Sequence, residues 1–242
     1  MRKLILSMIL LCSINFALAQ FIQIERNDGS IHGEKINQIS NITFVDETVT
    51  DIDGNVYNIV LIGNQYWMAE NLKVTKYRNG ILITDVWAFN NDEANVSIYG
   101  RLYSWNEVNK HVTESDPEYN IAPVGWHVPT DTEWEELAQF ISDDNGGYSK
   151  DGDDWNDVGT HLKSTTGWYI DYGTDDYDFS ALPAGCYEGG SFWDMGYRTY
   201  FWSTTESSSI GAWNRYLYDV FSLIFRDTKN KVFGYSIRCV RD

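Results

Sequence analysis

Residues 186–202 read CYEGGSFWDMGYRTYFW, seven aromatic side chains set among three glycines. Gly189, Gly190 and Gly196 free the chain from regular structure and mark loop. Flat rings beside charged groups suit a sugar, which stacks its apolar face on a ring and hydrogen-bonds at its edges. On this reading Trp193 and Tyr197 are the ligand-binding platforms, and Asp194, Arg198 and Glu206 are the polar contacts. The alternative is a core strand over 200–202, with Trp202 inside and a packed loop before it. Aromatics make up 15% of the chain, more than core filling alone requires, so a share of them is available for recognition.

A second segment, SDDNGGYSKDGDDWNDVG at 142–159, gathers Asp143, Asp144, Asp151, Asp153, Asp154 and Asp157 among glycines. Calcium takes six to eight oxygen ligands from flexible loops, and Asp151, Asp153, Asp154 and Asp157 are its candidate ligands here. No EF-hand spacing or closing Glu is present, so a solvated acidic loop is the competing reading. A nucleophile elbow needs Gly-x-Ser-x-Gly, which does not occur. His32, His111, His127 and His161 are scattered, with no HExxH and no His/Cys cluster that would hold zinc. His127, between Trp126 and Val128, is expected to be a packed or hydrogen-bonded structural residue. Acidic pairs are abundant enough that some face one another in any fold, which leaves a carbohydrate-active hydrolase using a carboxylate pair as an alternative.

The chain begins with the pattern of a secretory signal: basic Arg2 and Lys3, an apolar run over 4–11, and Ala17-Leu18-Ala19 before Gln20. That run is too short to span a bilayer permanently. Cys12 is a poor lipidation site, since Leu10 and Leu11 stand where small residues are usual. Cleavage leaves 16 basic against 35 acidic residues, a net charge of −19. Such a surface repels nucleic acid and anionic lipid and favours cations or neutral ligands. No later segment is apolar enough to cross a membrane, so the product is expected to be secreted or associated with the cell surface. Cys186 and Cys239 survive cleavage. Two cysteines in an exported protein point to a disulfide, with two buried thiols as the alternative.

These groups need a scaffold, and its clearest element lies in GWHVPTDTEWEELAQFI at 125–141. Thr130 and Glu133 have the spacing of a capping box, and Trp134, Leu137, Ala138 and Ile141 follow at i, i+3, i+4 and i+7. The pattern predicts one amphipathic helix buried on that face. Before it, FIQIE and ISNITF flank the turn-rich NDGSIHG and predict a small hairpin. Turns at Asp53-Gly54 and Gly63-Asn64 divide three short strands over 51–72. YGRLYSWNEV at 99–108 has a more helical spacing. Residues 142–178 are too polar for much core and too long for an ordinary connection. The last third alternates like closely spaced strands. The fold class is therefore α+β, with few helices and antiparallel strands.

The pieces DIDGNVYNIVLIGNQYWMAENL, YGRLYSWNEV, GWHVPTDTEW, GTHLKSTTGW, DFSALPAG, FWSTTE and GYSIRCVRD occur in the order found in the Fibrobacter succinogenes major paralogous domain, and the chain resembles that family of exported bacterial domains. Through VPTDTEWE and GYSIRCV it is also distantly similar to the formylglycine-generating enzyme group. That similarity implies a C-type-lectin-like α+β fold, in which terminal strands pair and long loops carry the function. The enzyme group's reactive cysteine pair has no counterpart, since no cysteine lies between Tyr187 and Arg238. Ala122 stands where many members of the closer family have Cys, so by resemblance Cys239 pairs with Cys186 or with nothing. Trp155-Asn156-Asp157 copies a calcium motif of true C-type lectins but lies too far from the C-terminal strand to be the same element. The resulting expectation is a signal over 1–19, a β appendage over 20–48 and one domain over 49–242. Its expected role is a non-enzymatic recognition module that binds a glycan or surface protein, with a structural cell-surface component as an alternative.

Overall fold

A computed structural model describes residues 21–25, 31–35, 48–170 and 173–242. The chain divides into two units, Met1–Val45 and Asp46–Asp242. The signal pattern over 1–19 lies outside the described residues. In the first unit, strands β1 (Phe21–Glu25) and β2 (Ile31–Lys35) pair antiparallel, with Phe21 opposite Lys35 and Glu25 opposite Ile31. A hairpin is present, but FIQIE pairs with IHGEK, whose first three residues belong to the stretch read as turn in the sequence. The stretch ISNITF at 39–44 lies outside the described residues.

The second unit is mostly β-sheet with few helices. Its first strands are β3 (Thr48–Thr50), β4 (Val56–Ile62), β5 (Gln65–Met68), β6 (Val86–Trp87), β7 (Leu102–Ser104), β8 (Trp126–His127), β9 (Lys150–Asp151) and β10 (Asp154–Trp155). Then follow β11 (Ala184–Glu188), β12 (Ser191–Met195), β13 (Arg198–Glu206), β14 (Gly211–Tyr218), β15 (Phe225–Asn230), β16 (Gly234–Tyr235) and β17 (Val240–Arg241). One sheet has the order β15-β14-β13-β11-β16-β7-β6, with β12 paired to β11. A five-stranded sheet has the order β3-β4-β5-β17-β8, so β17 is an inner strand between two from the first half of the unit. The helices are α1 (Val96–Tyr99), α2 (Trp105–Val108), α3 (Lys110–Thr113), α4 (Asp131–Asp144) and α5 (Val158–Leu162). No helix of the described residues is long and apolar enough to cross a membrane.

α4 forms as its sequence dictates. Thr130 Oγ1 accepts from the Glu133 N–H at 3.2 Å, and Glu133 accepts from the Thr130 N–H at 2.8 Å, which closes the capping box. Trp134, Leu137, Ala138 and Ile141 are all fully buried. Trp134 packs 4.8 Å from the Trp67 ring and 5.4 Å from Phe201, joining the helix to both large sheets. Each large apolar side chain on that face contributes about 2 kcal/mol.

A buried cation joins the end of β5 to the segment before β11. Arg238 Nε donates to Asn71 Oδ1 at 2.7 Å, and its terminal nitrogens donate to the Met68, Phe179 and Ser180 carbonyls at 3.0, 2.5 and 3.1 Å. Its guanidinium lies 4.5 Å from the Phe179 ring, and burial pulls its pKa down to about 9.

Two segments depart from the sequence reading. Three of the ten residues of YGRLYSWNEV form strand β7, and all three are buried, so no alternation betrays it. Residues 142–178 contribute real core: Trp155, Val158, Leu162 and Trp168 are buried, and α5 packs within the segment. Single apolar residues spaced among aspartates leave no periodic signal, yet each enters the same cluster as Trp67 and Trp134.

Candidate functional site

The aromatic segment is a hairpin rather than a loop. β11 and β12 pair with Cys186 opposite Trp193 and Glu188 opposite Ser191, and Gly189-Gly190 form the turn with φ of 59° and 86°. Alternation along β12 sends Phe192 inward, where its ring meets Phe89 at 5.3 Å and Tyr187 at 4.9 Å. Trp193 faces out at 57% exposure, with its indole N–H 3.3 Å from the Glu188 carbonyl. Gly185 and Asp194 face one another at an irregular point of the ladder, both with positive φ. A Cβ on Gly185 would lie 2.4 Å from the Trp193 carbonyl oxygen, so only glycine fits. Trp202, by contrast, is fully buried in β13 and donates its indole N–H to the Tyr103 carbonyl at 2.8 Å.

Tyr197 belongs to a different cluster. It is 41% exposed, and its ring lies 4.9 Å from that of Tyr169, which is 68% exposed. Backbone hydrogen bonds bring three turns together here: the Tyr169 N–H donates to the Gly196 carbonyl, and the Asp219 N–H donates to the Tyr197 carbonyl, both at 2.8 Å. Exposed Ile170, Val220 and Phe221 extend the surface. Tyr169, Ile170, Val220 and Phe221 are absent from the sequence-predicted set. Their only signal is two adjacent pairs of large apolar residues inside turn-rich sequence.

Asp194 and Arg198 are engaged with their own neighbours. Arg198 donates to Asp194 Oδ2 at 3.1 Å and lies 4.0 Å over the Tyr218 ring, while the Tyr200 hydroxyl donates to the same Asp194 oxygen at 2.9 Å. Burial, and then the Asp194 charge, push the Tyr200 hydroxyl well above its ordinary pKa. Glu206 does not share the site. It closes the far end of β13, eight residues from Arg198 and therefore roughly 25 Å away along the strand, where it pairs with Lys231.

Just after β14, where the Asp219 N–H donates to the Tyr197 carbonyl, sits a group that no sequence pattern marks. Asp219 is 0% exposed, and among the described residues neither of its carboxylate oxygens has a hydrogen-bond donor. The buried Thr199 hydroxyl and Arg198 Nε, on the neighbouring strand, also lack partners.

The expected calcium ligands diverge. Asp151 is exposed on β9, Asp153 pairs with Arg226 at 2.6 Å, Asp154 accepts from the Arg226 N–H at 2.8 Å, and Asp157 accepts from the Ser222 hydroxyl at 2.7 Å. Among the described residues no group of three or more His, Cys, Asp or Glu side chains converges to hold a metal ion. The aspartates instead tie the segment to β15 and to the turn before it. The expected disulfide is likewise not formed. Cys186 and Cys239 are buried free thiols outside bridging distance, one in β11 and the other beside β17 of the second sheet. Burial pushes both thiols far above their ordinary pKa.

His127 is a hydrogen-bonded clasp, with Nε2 2.8 Å from Glu133 and Nδ1 2.6 Å from Asp242. Glu107 is the carboxyl that burial raises in α2, with Oε1 accepting from the Thr84 hydroxyl at 2.8 Å. A cleft of about 270 Å³ holds Asp51 and Glu118, but Asp51 already accepts from the Asp53 and Asn55 N–H groups and from the Tyr57 hydroxyl. It shapes the Asp53-Gly54 turn and is not poised for acid–base work.

An α+β, β-rich domain with these buried motif residues is what the ordered sequence pieces describe. Residues 60–241 match the Fibrobacter succinogenes major domain, and the chain belongs to that family. No curated protein and no solved structure matches it.

Proposed function

We propose that the chain is an exported, non-enzymatic recognition module of C-type-lectin-like build, and that it binds a protein partner on the surface formed by Tyr169, Ile170, Tyr197, Val220 and Phe221. The observation that carries this reading is the convergence of exposed apolar residues from three turns held by backbone hydrogen bonds. Such a patch on a soluble domain marks an interaction site. Aromatic residues are enriched at protein interfaces. A glycan is the weaker candidate at this surface, because Asp194 and Arg198, which would bond its hydroxyls, already bond each other. Exposed Trp193 offers a single ring to a sugar and keeps that alternative in view. Pairing of β17 with β5 supports the C-type-lectin-like reading, as does the one long helix packed against both sheets. The basic, apolar and small-residue pattern of residues 1–19 supports export.

The test is a panel of immobilised secreted and cell-surface proteins beside a panel of glycans, probed with the purified chain and with Tyr169→Ser, Phe221→Ser and Trp193→Ala. Saturable binding to a protein, weakened at least tenfold by Tyr169→Ser and Phe221→Ser with melting temperature preserved, is the expected result. Glycan binding lost with Trp193→Ala would move the site to the hairpin. Silence on both panels would favour a structural surface component.

A further inference from the structure

We propose that Asp219 is the charged anchor of this surface and that the partner inserts a lysine ammonium among Tyr169, Tyr197 and Phe221; the inference rests on the recognition surface proposed above. A carboxylate taken out of water without a donor is strongly unfavourable, and folded chains normally pair or remove such a group. Asp219 is wholly buried with both oxygens unpartnered. The cations nearby are engaged elsewhere: Arg198 with Asp194 and the Tyr218 ring, Lys163 with the Phe221 carbonyl at 3.1 Å and the Trp168 ring. A charge kept at a cost to the fold is the mark of a functional site.

The surroundings select a cation as the missing partner. Three exposed rings come from the turns that meet at Asp219, whose N–H donates to the Tyr197 carbonyl, and a cation over a ring face is attracted by its quadrupole. The chain uses that contact one residue away, where Arg198 lies over Tyr218. A net charge of −17 steers basic partners toward the domain. A lysine would approach along the exposed pair Val220 and Phe221, which follows Asp219 directly. A lysine stem is long and apolar enough to lie along those side chains while its ammonium reaches the carboxylate.

The experiment titrates the full chain with Nα-acetyl-lysine amide and follows the ring resonances of labelled Tyr and Phe. The expected result is saturable shifts confined to Tyr169, Tyr197 and Phe221, absent with the Nε-acetylated form and at least tenfold weaker in Asp219→Asn. Without ligand, Asp219→Asn should melt no lower than the parent chain, since it removes an unpartnered charge. Equal titration of Asp219→Asn, shifts spread over the acidic surface, or a melting temperature lowered by several degrees would each overturn the anchor. If the lysine amide fails while Phe221→Ser still abolishes protein binding on the panel, the anchor falls and the surface stands. If Phe221→Ser changes no binding, the surface itself falls.

Discussion

Replacing Arg238 with Lys should damage the fold more than replacing it with Met, although Lys keeps the charge. The guanidinium fork serves four neutral acceptors, Asn71 Oδ1 and the carbonyls of Met68, Phe179 and Ser180. A single ammonium cannot reach all four, and at least two are left buried without a donor. At about 1–3 kcal/mol for each orphaned acceptor, the loss is about 4 kcal/mol. The ammonium is also more strongly hydrated than guanidinium, so burying it adds to the loss. Methionine leaves all four acceptors without a donor, about 8 kcal/mol on the same scale, but removes the buried charge, whose unfavourable burial shows in the pKa depressed to about 9. Relief of the several-kcal/mol desolvation penalty of a buried ion, about 5 kcal/mol, offsets most of that and leaves a net loss of about 3 kcal/mol. Urea unfolding with linear extrapolation measures both differences. In calorimetry the Lys variant should melt roughly 8–16 °C below the parent chain. A Lys variant within 1 kcal/mol of the parent, or more stable than the Met variant, would refute the reasoning.

Trp202→Ala should lose about 3–5 kcal/mol by opening a cavity beside Tyr235, whereas Trp193→Ala should lose less than about 1 kcal/mol; paired urea curves check both. The hydrogen bond to Glu133, against burial and with help from Asp242, raises the His127 pKa above its ordinary 6.5. Its stabilisation is therefore fully present below about pH 6.5 and disappears as pH rises through the elevated folded value. His127→Gln should flatten that part of the stability–pH curve measured by chemical denaturation. Thiol reagents should ignore Cys186 and Cys239 in the folded chain and modify both in urea without reductant, and failure to modify them there would restore the disulfide.

The elements legible in the sequence are those whose causes are local. The Thr130 box and the 3.6-residue spacing after it need no distant partner, and α4 matches its reading residue for residue. β7 was illegible because Leu102, Tyr103 and Ser104 are buried together, and its strand character comes from β6 and β16 on either side. The candidate site was legible in residue type only. Trp193 and Tyr197 are exposed as the ring chemistry requires, but strand alternation and turn contacts place Tyr197 with Tyr169. Glu206 was grouped by proximity in sequence, which a nine-residue strand converts into distance. Asp219 carries no local signal, since its burial depends on the convergence of separate turns.

The inner position of β17 governs when this domain can exist at all. Arg238 bonds the Met68 carbonyl across 170 residues of chain, and Val240 pairs with Trp67 on one side and His127 on the other. A nascent chain still missing those residues lacks the strand that joins β5 to β8, and Trp67 has only Val60 of its two cross-strand partners. Closing a loop of that length is slow, and nothing from the first half rewards it earlier. The five-stranded sheet is therefore complete only once synthesis has passed residue 240, and a stop codon a few residues upstream is expected to release a chain in which β5 and β8 are left unjoined.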